Sequence, residues 1–231
     1  MCGRYSLTTP VESVARLFGF DERPNLAARY NIAPTQNALV VRGSIGGGVE
    51  GVSIRWGLTP PWAQSLDEGV RMINARSETV REKPSFRAAY EARRCLAPSD
   101  GFYEWRKTEG GKQPNRIAMQ DNSVFAFAGL WERWRAPDGV ETDTFCLLTT
   151  TASPLLAPIH HRMPVILSPE DYAVWINGTP EEAAFLMRPY EDNALRSYPV
   201  GARVGNVRND GPDLWDAAPA QPAAPRQLDL L

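Results

Sequence analysis

An α+β fold is predicted for this chain of 231 residues, with a mostly antiparallel sheet or barrel-like β core and several peripheral helices. Short runs rich in Val, Phe, Leu and Thr are interspersed with a few helix-start signals, without the regular β–α alternation typical of a parallel sheet. The composition, 43% hydrophobic and 23% charged, is that of a folded globular protein. We therefore expect one domain over residues 1–210, large enough to bury a core without disulfides.

The first elements follow from local signals. A helix is predicted to begin at residues 9–12 (TPVE), with Thr9 as N-cap and Glu12 completing a capping box. Apolar residues at positions 14, 17 and 18 give this helix a face toward the core, and Gly19 is its expected stop. Strands are predicted at 38–43 and 50–56, joined by a turn at the glycines 46–48.

The rest of the chain continues this pattern. A second helix is predicted from about Pro84 to Arg94, and two more carry capping signals at 168–171 and 179–182. Further strands are predicted at 116–119, 123–130 and 144–150. Beyond Gly211 the sequence turns to Ala, Pro and Gln, so residues 211–231 are expected to form a mobile tail.

Cysteine and histidine content argues against a metal or disulfide framework. The three cysteines, Cys2, Cys95 and Cys146, form no CxxC pair, and the two histidines, His160 and His161, are adjacent. No metal or cofactor is therefore expected, and Cys95 and Cys146 are interpreted as small core residues.

The sequence shows neither a signal peptide nor an apolar run long enough to span a bilayer. A cytoplasmic protein, nucleoid-associated when bound to DNA and without a membrane partner, is the expectation.

Charge gives a weak indication of a nucleic-acid partner. The net charge is −2, but residues 71–116 carry eleven Lys/Arg against six Asp/Glu, a local net of +5. Such a basic centre fits a surface that follows phosphates, although on charge alone a solvated face with ordinary ion pairs is the preferred interpretation.

Cys2 suggests a distinct chemistry. If Met1 is removed, Cys2 carries a free α-amine and a thiol, with reference pKa values of roughly 8 and 8.5. The amine condenses with an aldehyde to a Schiff base, and the sulfur then closes a five-membered thiazolidine ring. Taken alone, an inert cysteine at position two remains the simpler interpretation.

The surrounding segments resemble the SRAP family, the SOS-response-associated peptidases, which process abasic sites in DNA. The matching segments occur in family order from Met1 to about residue 210: MCGRY at 1–5, YNIAPTQ at 30–36, RWGL at 55–58, NARSET at 74–79, RCL at 94–96, DGFYEW at 100–105, KQP at 112–114, AGLWE at 128–132, HHRMPVIL at 160–167 and VGNV at 204–207. The resemblance implies an SRAP-like fold.

The resemblance also implies a set of reacting residues. Cys2 corresponds to the nucleophile, and Asn74 to an amide that positions the thiol and the opened sugar. Glu104 corresponds to a carboxylate beside the terminal amine, suited to proton transfer. His160 corresponds to the acid that protonates the sugar ring oxygen and so exposes the aldehyde, a role suited to a group that titrates near neutrality.

DNA contacts are implied at five further positions. Arg4, Arg76 and Arg162 correspond to residues that hold phosphates near the lesion, for which the guanidinium fork is suited. Trp62 and Thr149 are weaker candidates for contact with the strand, Trp62 because a loop tryptophan can stack on a base.

The predicted function is thus an abasic-site sensor in single-stranded DNA that forms a covalent thiazolidine cross-link through Cys2, with possible abasic-site lyase activity by β-elimination. A monomer is expected. Two alternatives remain: a thiol (auto)peptidase that uses Cys2, and a single-stranded DNA-binding module without chemistry.

Overall fold

A computed structural model describes residues 2–21 and 24–223 of the chain, and in these ranges it contains thirteen β-strands and four α-helices. The strands are β1 (Tyr5–Leu7), β2 (Arg29–Ile32), β3 (Asn37–Gly43), β4 (Val49–Trp56), β5 (Asn74–Arg76), β6 (Arg94–Ser99), β7 (Gly101–Thr108), β8 (Gly111–Met119), β9 (Phe125–Arg135), β10 (Glu141–Thr151), β11 (Arg162–Pro164), β12 (Ile166–Leu167) and β13 (Leu195–Pro199). The helices are α1 (Val11–Phe18), α2 (Pro84–Ala92), α3 (Tyr172–Asn177) and α4 (Pro180–Phe185), with short 3₁₀ helices between them.

Five strands close into a barrel. β10 pairs with β4, β4 with β3, β3 with β6, β6 with β9, and β9 returns to β10. Within the described residues, β10 pairs in parallel with β4 and β5, and the other ladders are antiparallel. The predicted α+β fold with a mostly antiparallel, barrel-like core is therefore confirmed.

A second sheet, in the order β13-β8-β7-β1-β2, lies against the barrel. Tyr5 of β1 makes the connection: it is fully buried, and its ring meets Trp56 at 5.2 Å and Phe127 at 5.7 Å between ring centroids, edge to face. Edge-to-face aromatic pairs of this kind stabilise a core beyond the area they bury. The N-terminal strand is thus fixed at the seam between the two sheets.

Helix α1 differs from its prediction at the start and agrees at the end. Its N-cap is Pro10, which has no side-chain acceptor, so the expected capping box of Thr9 and Glu12 does not form. Gly19 ends the helix with a φ of 76°, the left-handed conformation that glycine adopts without steric cost.

The later helices show the same division between correct and incorrect local signals. At α4 the predicted box is complete: Thr179 accepts from the Glu182 main-chain N–H, and the Glu182 carboxylate accepts from that of Thr179. At the other site, Ser168 makes no side-chain cap, and a 3₁₀ helix (Pro169–Asp171) precedes α3.

The predicted end of the second helix at Arg94 is wrong. The helix ends at Ala92, and Arg94 begins β6 with its guanidinium buried. That guanidinium donates to the main-chain carbonyls of Tyr90 and Trp175, at 2.7 and 2.6 Å. These bonds to α2 and α3 outweigh the helix propensity of arginine.

Strands β8, β9 and β10 are each longer than predicted, because pairing continues into their polar ends.

The described part of the expected tail contacts the body of the protein. Residues Pro212–Trp215 form a 3₁₀ helix with Leu214 buried, and Trp215 lies 4.0 Å beneath the guanidinium of Arg116. Farther on, the Gln113 amide donates to the carbonyl of Pro219 at 2.8 Å. Mobility stays a prediction for residues 224–231, which lie outside the described residues.

No helix in the described ranges is both long and apolar enough to cross a membrane.

Candidate active site

The N-terminal segment reaches the site through the seam between the sheets. β1 pairs antiparallel with β7, and the Tyr103 main-chain N–H donates to the carbonyl of Arg4 at 3.0 Å, which extends the pairing toward Cys2. On the other side, the Asn74 side-chain amide donates to the carbonyl of Cys2 at 2.8 Å. Asn74 itself is placed by β5, which pairs in parallel with β10 opposite Leu147. Cys2 is therefore held between the two sheets.

The thiol of Cys2 is wholly buried. Its Sγ lies 3.7 Å from the carbonyl of Arg4, to which it donates. Burial raises the pKa of this thiol far above its ordinary value, and the negative charge of Glu104 raises it further. In this environment the sulfur is a neutral thiol, so its reaction with an electrophile requires a nearby proton acceptor.

Glu104 belongs to the second sheet, on the strand that pairs with β1. It lies on β7 opposite Asn115 of β8 and is 5% exposed. Its carboxylate raises the pKa of the Cys2 thiol, and it also acts to raise the pKa of His160. One buried carboxylate therefore acts electrostatically on both the thiol and the imidazole.

His160 lies in the turn before β11, where its main-chain N–H donates to the carbonyl of Leu156 at 3.0 Å. Its Nδ1 accepts from the main-chain N–H of Arg162 at 3.0 Å. The carbonyl of Arg162 lies 3.2 Å from the same atom, so Nδ1 accepts from the N–H when it is unprotonated and donates to the carbonyl when it is protonated. Burial lowers the pKa of His160, and the negative charge of Glu104 opposes this effect in part.

His161 packs against the ring of His160. Its side chain is exposed and its ring stacks on that of His160, with centroids 4.4 Å apart. The stacking limits rotation of the His160 ring from one face.

Three of the predicted DNA contacts are at or near the surface. Arg76 on β5 is exposed, and Trp62, in the loop after β4, is 57% exposed. Arg4 is half-buried, and its Nη1 donates to the carbonyl of Gly3 at 2.8 Å. These positions are consistent with contact to a strand, which stays a prediction for all three.

Arg162 and Thr149, the other two expected DNA contacts, are buried. The Arg162 guanidinium is almost fully buried and binds the Glu78 carboxylate in a fork, Nη1–Oε1 at 2.5 Å and Nη2–Oε2 at 2.9 Å. Thr149 is wholly buried, and its hydroxyl donates to the carbonyl of Ala75 at 3.3 Å. Contact of either side chain with a DNA strand stays a prediction.

Glu78 is the residue that sequence reasoning did not single out. It lies two positions after Arg76 in the quoted NARSET segment, but its partner Arg162 is 84 residues away. No short-range pattern links the two, so only the three-dimensional arrangement identifies the pair.

Within residues 2–21 and 24–223, no group of three or more His, Cys, Asp or Glu side chains has the arrangement of a metal site. The described site brings together a thiol, a carboxylate, an imidazole and an amide: Cys2, Glu104, His160 and Asn74.

Known proteins are similar to this chain in sequence and in fold. A family model described as SOS response associated peptidase (SRAP) matches residues 1–207. The abasic site processing protein YoqW of Bacillus subtilis (strain 168) is 38% identical over 224 residues, covering 94% of this chain and 100% of that protein. The abasic site processing protein HMCES of Gallus gallus is 31% identical over 204 residues, covering 77% of this chain and 60% of that protein.

Among solved structures, a protein from Bacteroides thetaiotaomicron superimposes with a TM-score of 0.85 at 28% identity, covering 94% of this chain and 100% of that one. A protein from Bordetella bronchiseptica gives a TM-score of 0.78 at 27% identity, covering 87% of this chain and 100% of that one. The barrel with its flanking sheet is therefore a fold already observed in crystals.

Proposed function

The chain belongs to the SOS response associated peptidase family, and we propose that it acts on abasic sites in single-stranded DNA by forming a covalent thiazolidine through Cys2. The observation that carries this proposal is the meeting of four residues that are far apart in the sequence: Cys2, Asn74 on β5, Glu104 on β7 of the second sheet, and His160.

The proposed reaction begins after removal of Met1. The freed α-amine of Cys2 adds to the sugar aldehyde carbon C1′, and loss of one water gives an imine. The sulfur then adds to the same carbon while the thiol proton passes to a base and the imine nitrogen gains a proton. The sum is aldehyde, amine and thiol converted to thiazolidine and water, without an external oxidant or reductant.

His160 supplies the first proton. An abasic deoxyribose is mostly a closed hemiacetal, and its ring oxygen must be protonated for the aldehyde to appear. The imidazolium form of His160 would be the acid for this step; its Nδ1–H would donate to the carbonyl of Arg162, 3.2 Å away, and the negative charge of Glu104 favours this charged form.

Glu104 is suited to the later proton transfers. Its carboxylate lies in a buried strand and increases the proton affinity of the Cys2 thiol. When it accepts a proton during imine formation, that effect disappears and the thiol becomes easier to deprotonate. The carboxylate thus links the two bond-forming steps.

Asn74 orients the nucleophile. Its amide holds the carbonyl of Cys2, and its Oδ1 is buried without a hydrogen-bond partner among the described residues. A buried acceptor without a partner is costly, and a hydroxyl of the opened sugar or the terminal amine would satisfy it.

DNA binding is proposed to rest on phosphate and stacking contacts without base recognition. Two of the residues involved, Arg76 and Trp62, are exposed, and Arg4 lies two positions after the nucleophile Cys2. The two arginines would supply cations for phosphates, and Trp62 an aromatic surface for a base. We propose that the protein is a cytoplasmic monomer that associates with the nucleoid when it is bound to damaged DNA.

The same site bears on two other activities, that of an abasic-site lyase and that of a thiol peptidase. Because an imine precedes ring closure, some β-elimination as an abasic-site lyase accompanies the proposal, most visibly when the thiol is absent. A thiol peptidase instead needs a thiolate–imidazolium pair, whereas here the pKa of the thiol is raised and that of His160 is lowered. Both shifts favour neutral groups, so the peptidase alternative gains no support from them.

Denaturing electrophoresis after incubation with a single-stranded abasic oligonucleotide tests the proposal. We expect a retarded band that survives heat and detergent with wild-type protein and is lost with Cys2→Ala. An exposed arginine outside the site, changed as Arg188→Ala, serves as the control and should give the wild-type band. A full yield of stable adduct from Cys2→Ala would reject the role of the thiol, and binding without any adduct would favour the non-covalent module.

A further inference from the structure

We propose that Arg106 binds a phosphate group of single-stranded DNA next to the abasic site. The inference rests on the proposed function for the position of the lesion. It adds a phosphate contact at a residue that is not among the five DNA contacts predicted from the sequence.

Arg106 lies on the same face of the second sheet as Glu104. In the β7–β8 ladder Glu104 is opposite Asn115, and Arg106 is opposite Gln113. Because alternate residues of a strand point to the same face, the two side chains share that face, and their Cα atoms are about 7 Å apart. The carboxylate of Glu104 acts electrostatically on the Cys2 thiol, so this face is the one turned toward the candidate active site.

The guanidinium of Arg106 is held by neutral groups. Its Nη2 donates to the main-chain carbonyl of Gln221 at 2.6 Å and lies 3.4 Å from Oε1 of Gln113. Gln113 is 3% exposed, and its amide fixes the C-terminal segment: Nε2 donates to the carbonyl of Pro219 at 2.8 Å, and Oε1 accepts from the main-chain N–H of Gln221 at 2.9 Å. Arg106 is therefore anchored at a built position and does not extend freely into solvent.

Arg106 has no counter-ion in the described part of the chain. Both of its hydrogen bonds use Nη2, and no carboxylate among these residues lies within ion-pair distance of it. Its Nε is buried and has no hydrogen-bond partner there. Arg162, in contrast, already binds the carboxylate of Glu78. A half-buried cation with neutral partners keeps its charge and most of its donors for a ligand, and a guanidinium is suited to phosphate.

A phosphate beside the lesion fits this cation. The sugar that reacts at Cys2 carries a phosphate on its 5′ side and another on its 3′ side. A cation about 7 Å from Glu104 along the strand lies within one nucleotide of that sugar. The negative charge of Glu104 repels such a phosphate, and the positive charge of Arg106 offsets the repulsion. Arg106 thus allows a buried carboxylate to operate next to a polyanion.

Arg106→Gln tests the proposal, with Lys107→Gln as the matched control. Lys107 is the next residue of β7; it is exposed and points to the opposite face, so its variant removes the same charge from the same strand. The probe is a single-stranded oligonucleotide with a tetrahydrofuran analogue of the abasic site. This analogue has no aldehyde, so a titration measures binding without the covalent step.

We expect Arg106→Gln to bind the analogue roughly tenfold more weakly at low salt, because a charged hydrogen bond is lost. The slope of log K against log salt should become shallower by about 0.7, the value for one phosphate contact in a single strand. Lys107→Gln should match wild type. Arg106→Lys keeps the charge and should recover most of the slope, which guards against a folding defect in the amide variant.

Neutral methylphosphonate linkages locate the contact. Each phosphate that flanks the analogue is replaced in turn, and the affinities of wild type and Arg106→Gln are compared. We expect one replacement within a nucleotide of the lesion to weaken binding by wild type and to have no further effect on Arg106→Gln, because the contact is already absent.

Three results would overturn the inference: equal losses in Arg106→Gln and Lys107→Gln, an unchanged affinity in Arg106→Gln, or the same response of both proteins to every methylphosphonate. The last result is the one expected if Arg106 only holds the C-terminal segment. If wild-type protein showed the predicted binding pattern but formed no adduct with a true abasic site, the proposed chemistry would fail while the phosphate contact stood. An adduct without any dependence of binding on Arg106 would contradict only this inference.

Discussion

Asn74→Ala removes the hydrogen bond that holds the carbonyl of Cys2 at 2.8 Å in a partly buried site. A hydrogen bond of this type contributes about 0.5–1.5 kcal/mol. Since 1.36 kcal/mol corresponds to a factor of ten in rate, the loss translates into cross-linking that is roughly 2- to 12-fold slower, provided the bond serves to hold Cys2 in its reactive position.

The assay is a single-turnover rate with saturating abasic oligonucleotide, which removes differences in affinity. Asn37→Ala, an exposed asparagine at the start of β3, is the matched control and should react at the wild-type rate. An unchanged rate in Asn74→Ala would refute the positioning argument. A fall of about a thousandfold would also refute it, because so large a loss would assign Asn74 to the bond-forming step itself.

Three further predictions concern binding, stability and the thiol. Trp62→Ala should weaken single-stranded DNA binding by about 1–3 kcal/mol if a base stacks on the ring, with the urea midpoint unchanged; equal affinity in a fluorescence titration would exclude the stacking contact. Arg94→Met should lower the free energy of unfolding by about 3 kcal/mol or more, because four main-chain carbonyls, Trp175 O among them, lose their donor; urea denaturation measures this, and a change below about 1 kcal/mol contradicts it. Glu104→Gln should lower the pKa of the Cys2 thiol, since the carboxylate raises it; the pH dependence of alkylation should move to lower pH, and a move to higher pH would contradict the assignment.

Local sequence signals predicted the fold where the deciding interactions are themselves local. Thr179 and Glu182 form their box because both partners lie within one helical turn. Arg94 was misplaced because its helix-favouring propensity is outweighed by carbonyls from α3, some 80 residues away. The mostly antiparallel core could be inferred from composition and spacing, but not the closure of β10 onto β4, which is a long-range parallel pairing.

The site could be predicted only in part for the same reason. Spacing alone does not connect Cys2 with Asn74 or Glu104, and the resemblance to a family supplied those residues. The structure explains how they meet, since β1 joins β7 while β5 joins β10. The Glu78–Arg162 ion pair could not be predicted from the sequence, because neither the charge pattern nor the motif indicates that this arginine is buried.

The mass of the adduct tests the central claim most directly. Protein bearing a cleavable N-terminal extension is incubated with an abasic oligonucleotide before and after cleavage to a free Cys2, and intact mass spectrometry follows. The account predicts no adduct before cleavage. After it, the expected species has the summed mass of protein and DNA less one water, resists borohydride, and leaves Cys2 unavailable to alkylation. An adduct that forms while the amine is blocked, or one in which the Cys2 thiol still reacts, would contradict the thiazolidine.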